Sequence, residues 1–425
     1  MTDRRTTAAA ADRIVTLDVV RGVAVMGILF VNILSFALPD VARLSPHAWG
    51  VTGPADLWAY FATMIAFDGK MRGLFSFLFG ASLLLVVDRA EARGADPAAV
   101  HYRRMAWLFV LGVGHAVLLW SGDILMHYAL VGSIAYAFRH GSVRRMVACG
   151  IALALVEWLL LGVIALSFIA MQSADTPSAA QGLRDFDNGF GIPAPAVLAQ
   201  EIALFRGGYG GILHHNLAEL TTTLYNTVFI GFETLAYMLF GMAALRSGML
   251  TGTWSRARLW RWAVVGIGIG GAGYALLAAW MLTRGIDARS VLLGGFAVPP
   301  PLRGIMIPGY AAAILLLAGC GGTLIARFAA VGRMALSNYL ATTIVMCFLF
   351  YGWGLGQFGL WSRATLYLPV LAMCGVMLLW SPRWLARYRY GPFEWLWRSL
   401  ARGERQPMRA EPSIARRSGD ATHPQ

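Results

Sequence analysis

The sequence predicts an all-α integral membrane protein, a polytopic helical bundle of about ten transmembrane helices with both termini in the cytoplasm. Its 425 residues are 58% hydrophobic and 13% charged, whereas a soluble domain carries about a quarter charged residues. Several apolar runs reach the length of roughly 20 residues that a helix needs to cross the hydrocarbon core. Because lipid provides no hydrogen-bonding partners for the backbone, these runs must be helical.

The N-terminal part of the chain contains a cytoplasmic segment and a five-helix membrane region. Residues 1–21 form the segment and residues 22–170 the region, with spans at 22–38, 70–87, 105–121, 124–138 and 146–170. The first span resembles a signal peptide but lacks a convincing small-residue cleavage site, so it is predicted to be a mature helix. The third and fourth spans are separated by so few residues that a tight hairpin is expected.

An outer loop is predicted over residues 171–223, before a second five-helix region at 224–402. The first half of the loop contains turn residues, and its second half has the periodicity of a helix in the membrane interface. The spans of the second region are predicted at 224–245, 261–282, 306–326, 334–354 and 365–381. The polar, proline-containing residues 403–425 are predicted to form a disordered cytoplasmic tail.

The formal net charge of +13 is explained by membrane topology. With the N-terminus inside and these spans, 26 lysine and arginine residues fall on the cytoplasmic side and seven on the outer side. Such an excess is typical of cytoplasmic loops. The lipid bilayer is therefore the expected partner, and no nucleic acid partner is expected. The oligomeric state is left open.

Two patterns that can mark metal or cofactor sites are interpreted as packing features. The four cysteines form no CxxC pair and fall in apolar spans, so neither a metal site nor a disulfide framework is expected; they are Cys149, Cys320, Cys347 and Cys374. The sequence GIGIGG, beginning at Gly266, matches a dinucleotide fingerprint but lies within an apolar run without a preceding strand. Its small residues predict close packing between helices.

Polar residues within the spans are the candidates for function, because a charge in hydrocarbon is costly without a partner. His115 lies near the end of the third span and His127 near the start of the fourth, with Asp123 one helical turn before His127. We expect these three side chains to meet. A carboxylate that orients an imidazole is what general-base or nucleophilic catalysis requires. The alternative is that Asp123 caps the fourth helix and the histidines donate to carbonyl groups.

The first span carries two further candidates. Asp18 and Arg21 are three residues apart on one helix face, where they can pair. The alternative interpretation is an acidic residue matched to the helix dipole and a positive charge on the inner side. Asn32 is a lone polar residue in the middle of the span.

The second span begins with a charged cluster that contains Asp68, Lys70 and Arg72. Lys70 and Arg72 are expected either to bind an anion or to extend their charged ends into the interface. Glu157 and Glu233 lie deep in the fifth and sixth spans. They are compatible with a proton path or with a structural role.

Five segments resemble the YeiB-like bacterial inner-membrane proteins, a family with a domain of unknown function. They are RIVTLDVVRGVAVMGILFVNI, GKMRGLFSFLFG, RRMAWLFVLGVGHAVLLWSGDILMHYALVG, VGRMALSNYL and YGPFEWLWR. The match covers nearly the whole chain. The family is in turn distantly similar to the transmembrane acyltransferase superfamily, which includes heparan glucosaminide acetyltransferase and bacterial O-acetyltransferases. The resemblance implies a multi-pass protein of the bacterial cytoplasmic membrane.

The resemblance also implies an activity, the transfer of an acyl group from cytoplasmic acyl-CoA to a glycan, lipid or small-molecule acceptor at the outer face. Asp18 and Arg21 match the first-helix signature of the superfamily. Arg21 and neighbouring Arg103 or Arg104 would then meet the phosphates of acyl-CoA.

The expected chemistry lies near the outer half of the membrane. His115 and Asp123 correspond to the family's own polar pair, in which His115 would act on the acceptor. Bacterial O-acetyltransferases typically carry a histidine where this chain has Asn32, so His115 replaces that base or the chemistry has changed. His47, in the outer loop, is the lower-ranked alternative.

Two other functions are compatible with the same residues. A proton-coupled transporter would use Glu157, Glu233, Asp123 and the histidines as a proton relay. A non-catalytic membrane scaffold would use the polar residues to hold helices together. Binding of CoA distinguishes the acyltransferase from both.

Overall fold

The computed structural model describes the backbone of residues 2–409 and the side chains of residues 15–409. Residues 410–425 of the predicted tail lie outside the described residues. Within the described part the chain is helical, and its β-structure is limited to an isolated bridge between Tyr388 and Arg409. The predicted all-α fold class is confirmed.

The helices of the first half run from the N-terminus to the long central helix. They are α1 (Thr2–Ala37), α2 (Asp40–Leu44), α3 (Pro54–Ala66), α4 (Lys70–Glu91), α5 (Pro97–Leu118), α6 (Leu125–Ala135), α7 (Val143–Gln172), α8 (Pro177–Phe190), α9 (Pro195–Arg206) and α10 (Tyr209–Arg246). Several of them begin with proline at the first helical position, where a missing N–H costs nothing.

The helices of the second half begin after a short turn. They are α11 (Arg256–Thr283), α12 (Ala288–Ser290), α13 (Pro300–Ala318), α14 (Thr323–Arg333), α15 (Ala335–Phe350), α16 (Tyr367–Leu385) and α17 (Pro392–Arg402). A π-helical turn, Val291–Ala297, follows α12.

Seven helical stretches of the described chain are long and apolar enough to cross a membrane, and the count is eight if the bent pair α14 and α15 forms one span. They are Val15–Ala37, Pro54–Glu91, Val143–Gln172, Tyr209–Arg246, Arg256–Thr283, Pro300–Ala318 and Tyr367–Leu385. The polytopic helical architecture is therefore confirmed. With the bent pair included, the count is two lower than the predicted ten, because α5 and the short α6, the predicted third and fourth spans, do not meet these criteria.

Three connections differ from the sequence prediction. Helix α5 ends at Leu118 and α6 begins at Leu125, so the predicted tight hairpin contains a longer loop. Helix α10 begins at Tyr209, so much of the predicted interfacial segment belongs to a membrane-spanning helix. Residues 323–333, predicted mainly as a connection, form α14, which packs against α1 and α16. Periodicity in the sequence does not resolve where such helices begin and end.

Helix α7 exposes most of its apolar surface on the outside of the bundle. Only 17% of its most apolar window is buried within the protein, and Leu159 and Leu166 are among its exposed side chains. A helix that is apolar on nearly all sides, and exposed, is suited to contact lipid. The one deeply buried carboxylate of this helix, Glu157, faces the interior.

The GIGIGG segment packs as predicted. Helices α11 and α13 cross closely, and a Cβ atom at Gly266 would lie 2.6 Å from the Ile305 carbonyl oxygen and 3.0 Å from the Gly309 Cα. A Cβ at Gly268, on the other side of the helix, would meet no atom within 4 Å. Small residues at such crossings allow the backbones of membrane helices to approach each other.

We expect Gly266→Leu to destabilise the protein by about 1–3 kcal/mol, because an added side chain forces α11 and α13 apart. Gly268→Leu is the matched control, with the same chemical change in open space. The midpoint of thermal unfolding of both variants in detergent checks the prediction. Equal midpoints would show that the α11–α13 crossing does not depend on Gly266.

The two ends of the bundle are named here for the description of the site. The basic face is the end at which α4 ends, α5 begins and α17 lies, with α17 packed against α5 and α15. The opposite face is the end at which α1 ends and α4 begins. Polar side chains of the candidate site are distributed between them.

Candidate functional site

A cavity with a volume of about 390 Å³ extends from the basic face into the bundle. Its walls are mainly apolar and come from α1, α4, α5, α6 and α15, with Ile28, Phe75 and Leu108 among the lining residues. Charged side chains, including Asp18, Arg21, Arg89, Arg104 and Arg398, also line it. The cavity is therefore amphiphilic, with space for an apolar group beside several cations.

A second groove, of about 530 Å³, adjoins the cavity on the basic face. Arg89, Arg104, Tyr390 and Arg398 line both spaces. The groove adds Arg93, Arg103 and Arg402, and Asp96 is the acidic residue among its lining side chains. Six arginines around one groove create a strongly positive potential, and guanidinium groups bind phosphates and carboxylates in a bidentate manner.

Arg21 is fixed at the cavity wall, as its spacing from Asp18 predicts. Its Nη1 donates to Asp18 Oδ1 at 2.8 Å, and its Nη2 donates to Ser82 Oγ on α4 at 3.0 Å. The Arg21 side chain is still 26% exposed. It is therefore oriented by two partners while remaining accessible from the cavity.

Helix α17 closes one side of the cavity through contacts with two other helices. Glu394 accepts hydrogen bonds from the Ser337 backbone N–H at 3.0 Å and from Ser337 Oγ at 2.5 Å. Trp397 donates from Nε1 to the Arg104 carbonyl at 2.9 Å and stacks against the Arg104 guanidinium, 4.2 Å from its ring centroid. The sequence segments ALSNYL and GPFEWLWR thus meet at the cavity wall.

The electrostatics of α17 favour an anion at the basic face. Burial lowers the pKa of Arg398, and the nearby positive charges of Arg402 and Arg21 lower it further, although Tyr390 and Glu394 oppose this. Burial raises the pKa of Glu394, against the hydrogen bonds from Ser337. An anion bound in the groove would relieve the repulsion among the arginines.

His115 and Asp123 meet deeper in the bundle, as predicted. His115 Nδ1 lies 2.8 Å from Asp123 Oδ1, and both side chains are almost completely buried. Asp123 Oδ2 also accepts a hydrogen bond from the Met126 N–H at 2.7 Å. Asp123 therefore orients the imidazole and caps the start of α6 at the same time, so the two interpretations of this residue are compatible.

The second nitrogen of His115 faces a residue that the sequence did not indicate. Its Nε2 lies 3.1 Å from Thr343 Oγ1 on α15. The His115 ring also contacts the Tyr339 ring, with centroids 5.2 Å apart. Because Tyr339 lines the cavity, His115 lies one side chain behind the cavity wall.

The prediction that His127 joins this pair is wrong. His127 Nε2 is hydrogen-bonded to Thr234 Oγ1 on α10 at 2.7 Å. The expectation assumed that Asp123 and His127 lie on one helix, where residues four apart face each other. Since α6 begins only at Leu125, Asp123 belongs to the preceding loop and turns towards α5 instead.

The charged residues of the second span do not extend to the interface. Lys70 is fully buried, with its Nζ 3.2 Å from the Tyr274 ring centroid and 2.5 Å from the Met64 carbonyl oxygen. Arg72 Nη2 pairs with Glu233 Oε2 at 2.5 Å. The snorkelling interpretation of Lys70 and Arg72 is therefore wrong, because partners from other helices enclose both side chains.

Glu233 has a second cationic partner that the sequence analysis did not identify. Its Oε1 lies 2.9 Å from Arg303 Nη2 on α13 and accepts a hydrogen bond from Tyr237 at 2.9 Å. Glu157 is buried close to this cluster, and its Oε2 has no hydrogen-bonding partner in the described residues. The two intramembrane glutamates thus belong to one polar cluster on α4, α7, α10 and α13.

The remaining candidates lie outside both clusters. Asn32 is half-buried on α1, and no hydrogen bond from its side chain connects it to the described residues. His47 is exposed in the short turn Pro46–Ala48. Among the cysteines, Cys347 and Cys374 are buried, whereas Cys320 is exposed after the end of α13, contrary to its predicted packing role.

The C-terminal part of the chain matches a known protein family. Residues 244–404, which include Ser337, Glu394 and Arg398, match the family model described as "Protein of unknown function (DUF418)". No solved structure matches the chain.

Full-length relatives extend the similarity to the remaining helices. The chain is 31% identical over 93% of its length to uncharacterized protein YxaH of Bacillus subtilis, covering 96% of that protein. It is 33% identical over 92% of its length to uncharacterized protein YeiB of Escherichia coli, again covering 96%. With such identity over almost the whole of both proteins, the chain belongs to the YeiB-like family that carries this domain of unknown function.

Proposed function

We propose that this protein is a membrane-embedded acyltransferase of the bacterial cytoplasmic membrane. It takes an acyl group from acyl-CoA at the basic face, which is the cytoplasmic face. The acceptor is a glycan, lipid or small molecule that approaches from the opposite face. The observation that supports the proposal most directly is the amphiphilic cavity, in which an apolar space adjoins a groove lined by six arginines.

The chemical groups of acyl-CoA are complementary to this cavity and its groove. The groove provides guanidinium groups for the phosphates of CoA, including those of Arg103 and Arg104, and Arg21 lies at the cavity wall. The cavity provides mainly apolar walls for the acyl chain and the pantetheine arm. Its volume of about 390 Å³ falls within the range of about 300–1,000 Å³ that is typical of small-molecule sites.

The chemical step is assigned to His115 with Asp123. His115 takes the proton of an acceptor hydroxyl or amine, while Asp123 holds the imidazole in position and stabilises its positive charge. The acceptor oxygen or nitrogen then bonds to the acyl carbonyl carbon as the carbon–sulfur bond breaks, and the departing thiolate of CoA takes up the proton from His115. The Thr343 hydroxyl lies where the acceptor hydroxyl is expected, 3.1 Å from His115 Nε2. Tyr339 has to move aside for the acyl group to reach this point.

A proton-coupled transporter is the second candidate function. It is favoured by the buried cluster of Glu157 and Glu233, in which one carboxylate oxygen of Glu157 lacks a partner. Buried ionisable residues of this kind mark proton and substrate paths in membrane proteins. A transporter has no need of the arginine-lined groove beside the cavity.

Calorimetric titration of the purified protein in uncharged detergent with acetyl-CoA and CoA tests the proposal. We expect saturable binding by the wild type. Arg21→Gln should weaken it about tenfold, since a hydrogen bond to a charged group contributes about 1.5–3 kcal/mol. His115→Gln should bind normally because it lies behind the cavity wall. Arg184→Gln, at an exposed arginine of α8, is the matched control.

The same titration separates the candidates. If the wild type binds neither compound saturably, or if Arg184→Gln weakens binding as much as Arg21→Gln, the acyltransferase proposal is overturned and the transporter is favoured. If CoA binds but His115→Gln abolishes binding, the assignment of His115 to a separate chemical step is wrong.

A further inference from the structure

The helical stretch Pro54–Glu91 is interrupted near the opposite face. Helix α3 ends at Ala66 and α4 begins at Lys70, with Phe67, Asp68 and Gly69 between them. Gly69 has a φ of 69°, in the left-handed region that glycine adopts without strain. Interrupted helices within membrane regions are tolerated where the irregular backbone lies against protein or a ligand site. The residues around this break are therefore candidates for a ligand site.

Two arginines meet beside the break and share a single carboxylate. Glu233 lies between Arg72, which follows the break on α4, and Arg303 on α13. Gly69 makes room for this arrangement, because a Cβ atom there would lie 2.4 Å from Arg303 Cδ. One carboxylate between two guanidinium groups leaves one positive charge unbalanced within the trio.

The other charged groups nearby form no direct ion pair with the two arginines in the described chain. Lys70 has only neutral contacts, the Met64 carbonyl and the Tyr274 ring. Asp68 is half-buried and forms no ion pair with any described residue within 4.0 Å, but it interacts electrostatically with both Lys70 and Arg303. Glu157, the third carboxylate of the cluster, forms no ion pair within 4.0 Å with a described residue. Arg72 and Arg303 therefore share Glu233 as their one directly bonded carboxylate in the described chain.

Two groups in the cluster have unused hydrogen-bonding capacity. Arg303 Nε and Glu157 Oε2 are buried without a partner in the described chain. The Arg72 side chain, although enclosed by helices, keeps 27% of its accessible surface. Buried polar groups in native proteins nearly always have partners, so groups without a protein partner are candidates to bind water or a ligand. Glu157 lies close enough to interact with Glu233, Arg72 and Arg303.

We propose that Arg72 and Arg303 bind one anionic group of a ligand, a carboxylate or a phosphate, and that Glu157 accepts a hydrogen bond from a hydroxyl or amine on the same ligand. Glu233 orients the two guanidinium groups in the absence of the ligand. Arginine is suited to this role because its fork of donors matches both anions. The site lies beside α7, α10 and α13, away from the arginine-lined groove, and it holds whether or not the protein transfers acyl groups.

The test measures anion binding to the full-length protein in uncharged detergent. Thermal unfolding midpoints are recorded against increasing inorganic phosphate, which is a bare anion, and lactate, which combines a carboxylate with a hydroxyl, with chloride at matched ionic strength. We expect a saturable rise with phosphate or lactate and none with chloride. Arg303→Gln should weaken the effective affinity at least tenfold, whereas Arg184→Gln, at an exposed arginine of α8, should leave it unchanged.

Two further experiments identify the source of the anion and provide a test that does not depend on the folding of Arg303→Gln. In nanodiscs of phosphatidylcholine, partial replacement by phosphatidylglycerol should raise the midpoint and remove the response to soluble anions if the ligand is a lipid headgroup. Gly69→Ala keeps every charge but displaces Arg303, so it should weaken anion binding even if Arg303→Gln does not fold.

The proposal is overturned if neither soluble anion nor phosphatidylglycerol stabilises the wild type saturably. It is also overturned if Arg398→Gln abolishes the response while Arg303→Gln and Gly69→Ala keep it, because the anion then binds at the basic face. A CoA titration on the same Arg303→Gln sample should be normal if the acyltransferase proposal is right, so failure of one proposal is distinguishable from failure of the other.

Discussion

Asp123→Ala is expected to destabilise the protein by about 2–4 kcal/mol, because it removes a helix cap and leaves a buried imidazole nitrogen without a partner. Asp123 Oδ2 caps α6 through the Met126 N–H, and Oδ1 lies 2.8 Å from His115 Nδ1. Both groups are buried, so water cannot replace the lost carboxylate. The midpoint of chemical or thermal unfolding in detergent measures the effect.

A double-mutant cycle separates the two contributions of Asp123. In the His115→Gln background the carboxylate no longer orients an imidazole, so Asp123→Ala should cost only the cap, about 0.5–2 kcal/mol. Asp123→Asn, which keeps one acceptor oxygen, should fall between the wild type and Asp123→Ala. Equal costs of Asp123→Ala in the two backgrounds would mean that the His115–Asp123 contact contributes nothing to stability.

This pair shows what spacing in the sequence can and cannot predict. His115 and Asp123 were expected at similar depth because a short connection joins two helices, and the structure brings them together. The expectation for His127 failed because it required Asp123 to lie inside a helix. Whether Asp123 is helical depends on six residues of loop, and periodicity does not resolve boundaries at that scale.

Contacts between distant segments of the chain could not be predicted from local sequence patterns. Asp18 and Arg21 were predicted to pair because one helix carries both. Arg303, Thr343 and Glu394, by contrast, meet their partners across 57 to 228 positions in the chain, and no local pattern distinguishes them. The one available signal was indirect, since Ser337 and Glu394 lie within the two closing segments that resemble the family.

Lys70 does not reach the membrane interface for a related reason. A lysine at the end of an apolar run is usually able to reach the interface, and nothing local shows that Pro54–Ala66 continues the helical stretch beyond it. With α3 extending the stretch to 38 residues and the Tyr274 ring of α11 lying 3.2 Å from its Nζ, Lys70 is enclosed by protein although it lies near the opposite face. The length of the stretch, rather than its composition, decides the environment of its charges.

Glu233→Ala is expected to have the largest effect of any single replacement considered, a loss of about 3–5 kcal/mol, because it leaves two arginines close together in the protein interior without their shared carboxylate. Glu233 is 2% exposed, and it also accepts a hydrogen bond from Tyr237. Glu219→Ala is the matched control, since Glu219 lies on the same helix, is half-buried and forms no ion pair with a described residue. Its effect should stay below about 1 kcal/mol.

The origin of this loss is tested by removing the charges together. Arg72→Met and Arg303→Met in the Glu233→Ala background eliminate the repulsion and the buried unpaired cations, so unfolding midpoints should recover in part even though two more polar contacts are lost. A further fall in the midpoint of the triple variant would show that the arginines stabilise the bundle independently of Glu233. Recovery, in contrast, identifies the trio as an arrangement that costs folding free energy. A cost of that kind in four packed helices is what a binding site for an anion requires, since the guanidinium groups must be held in place before the ligand arrives.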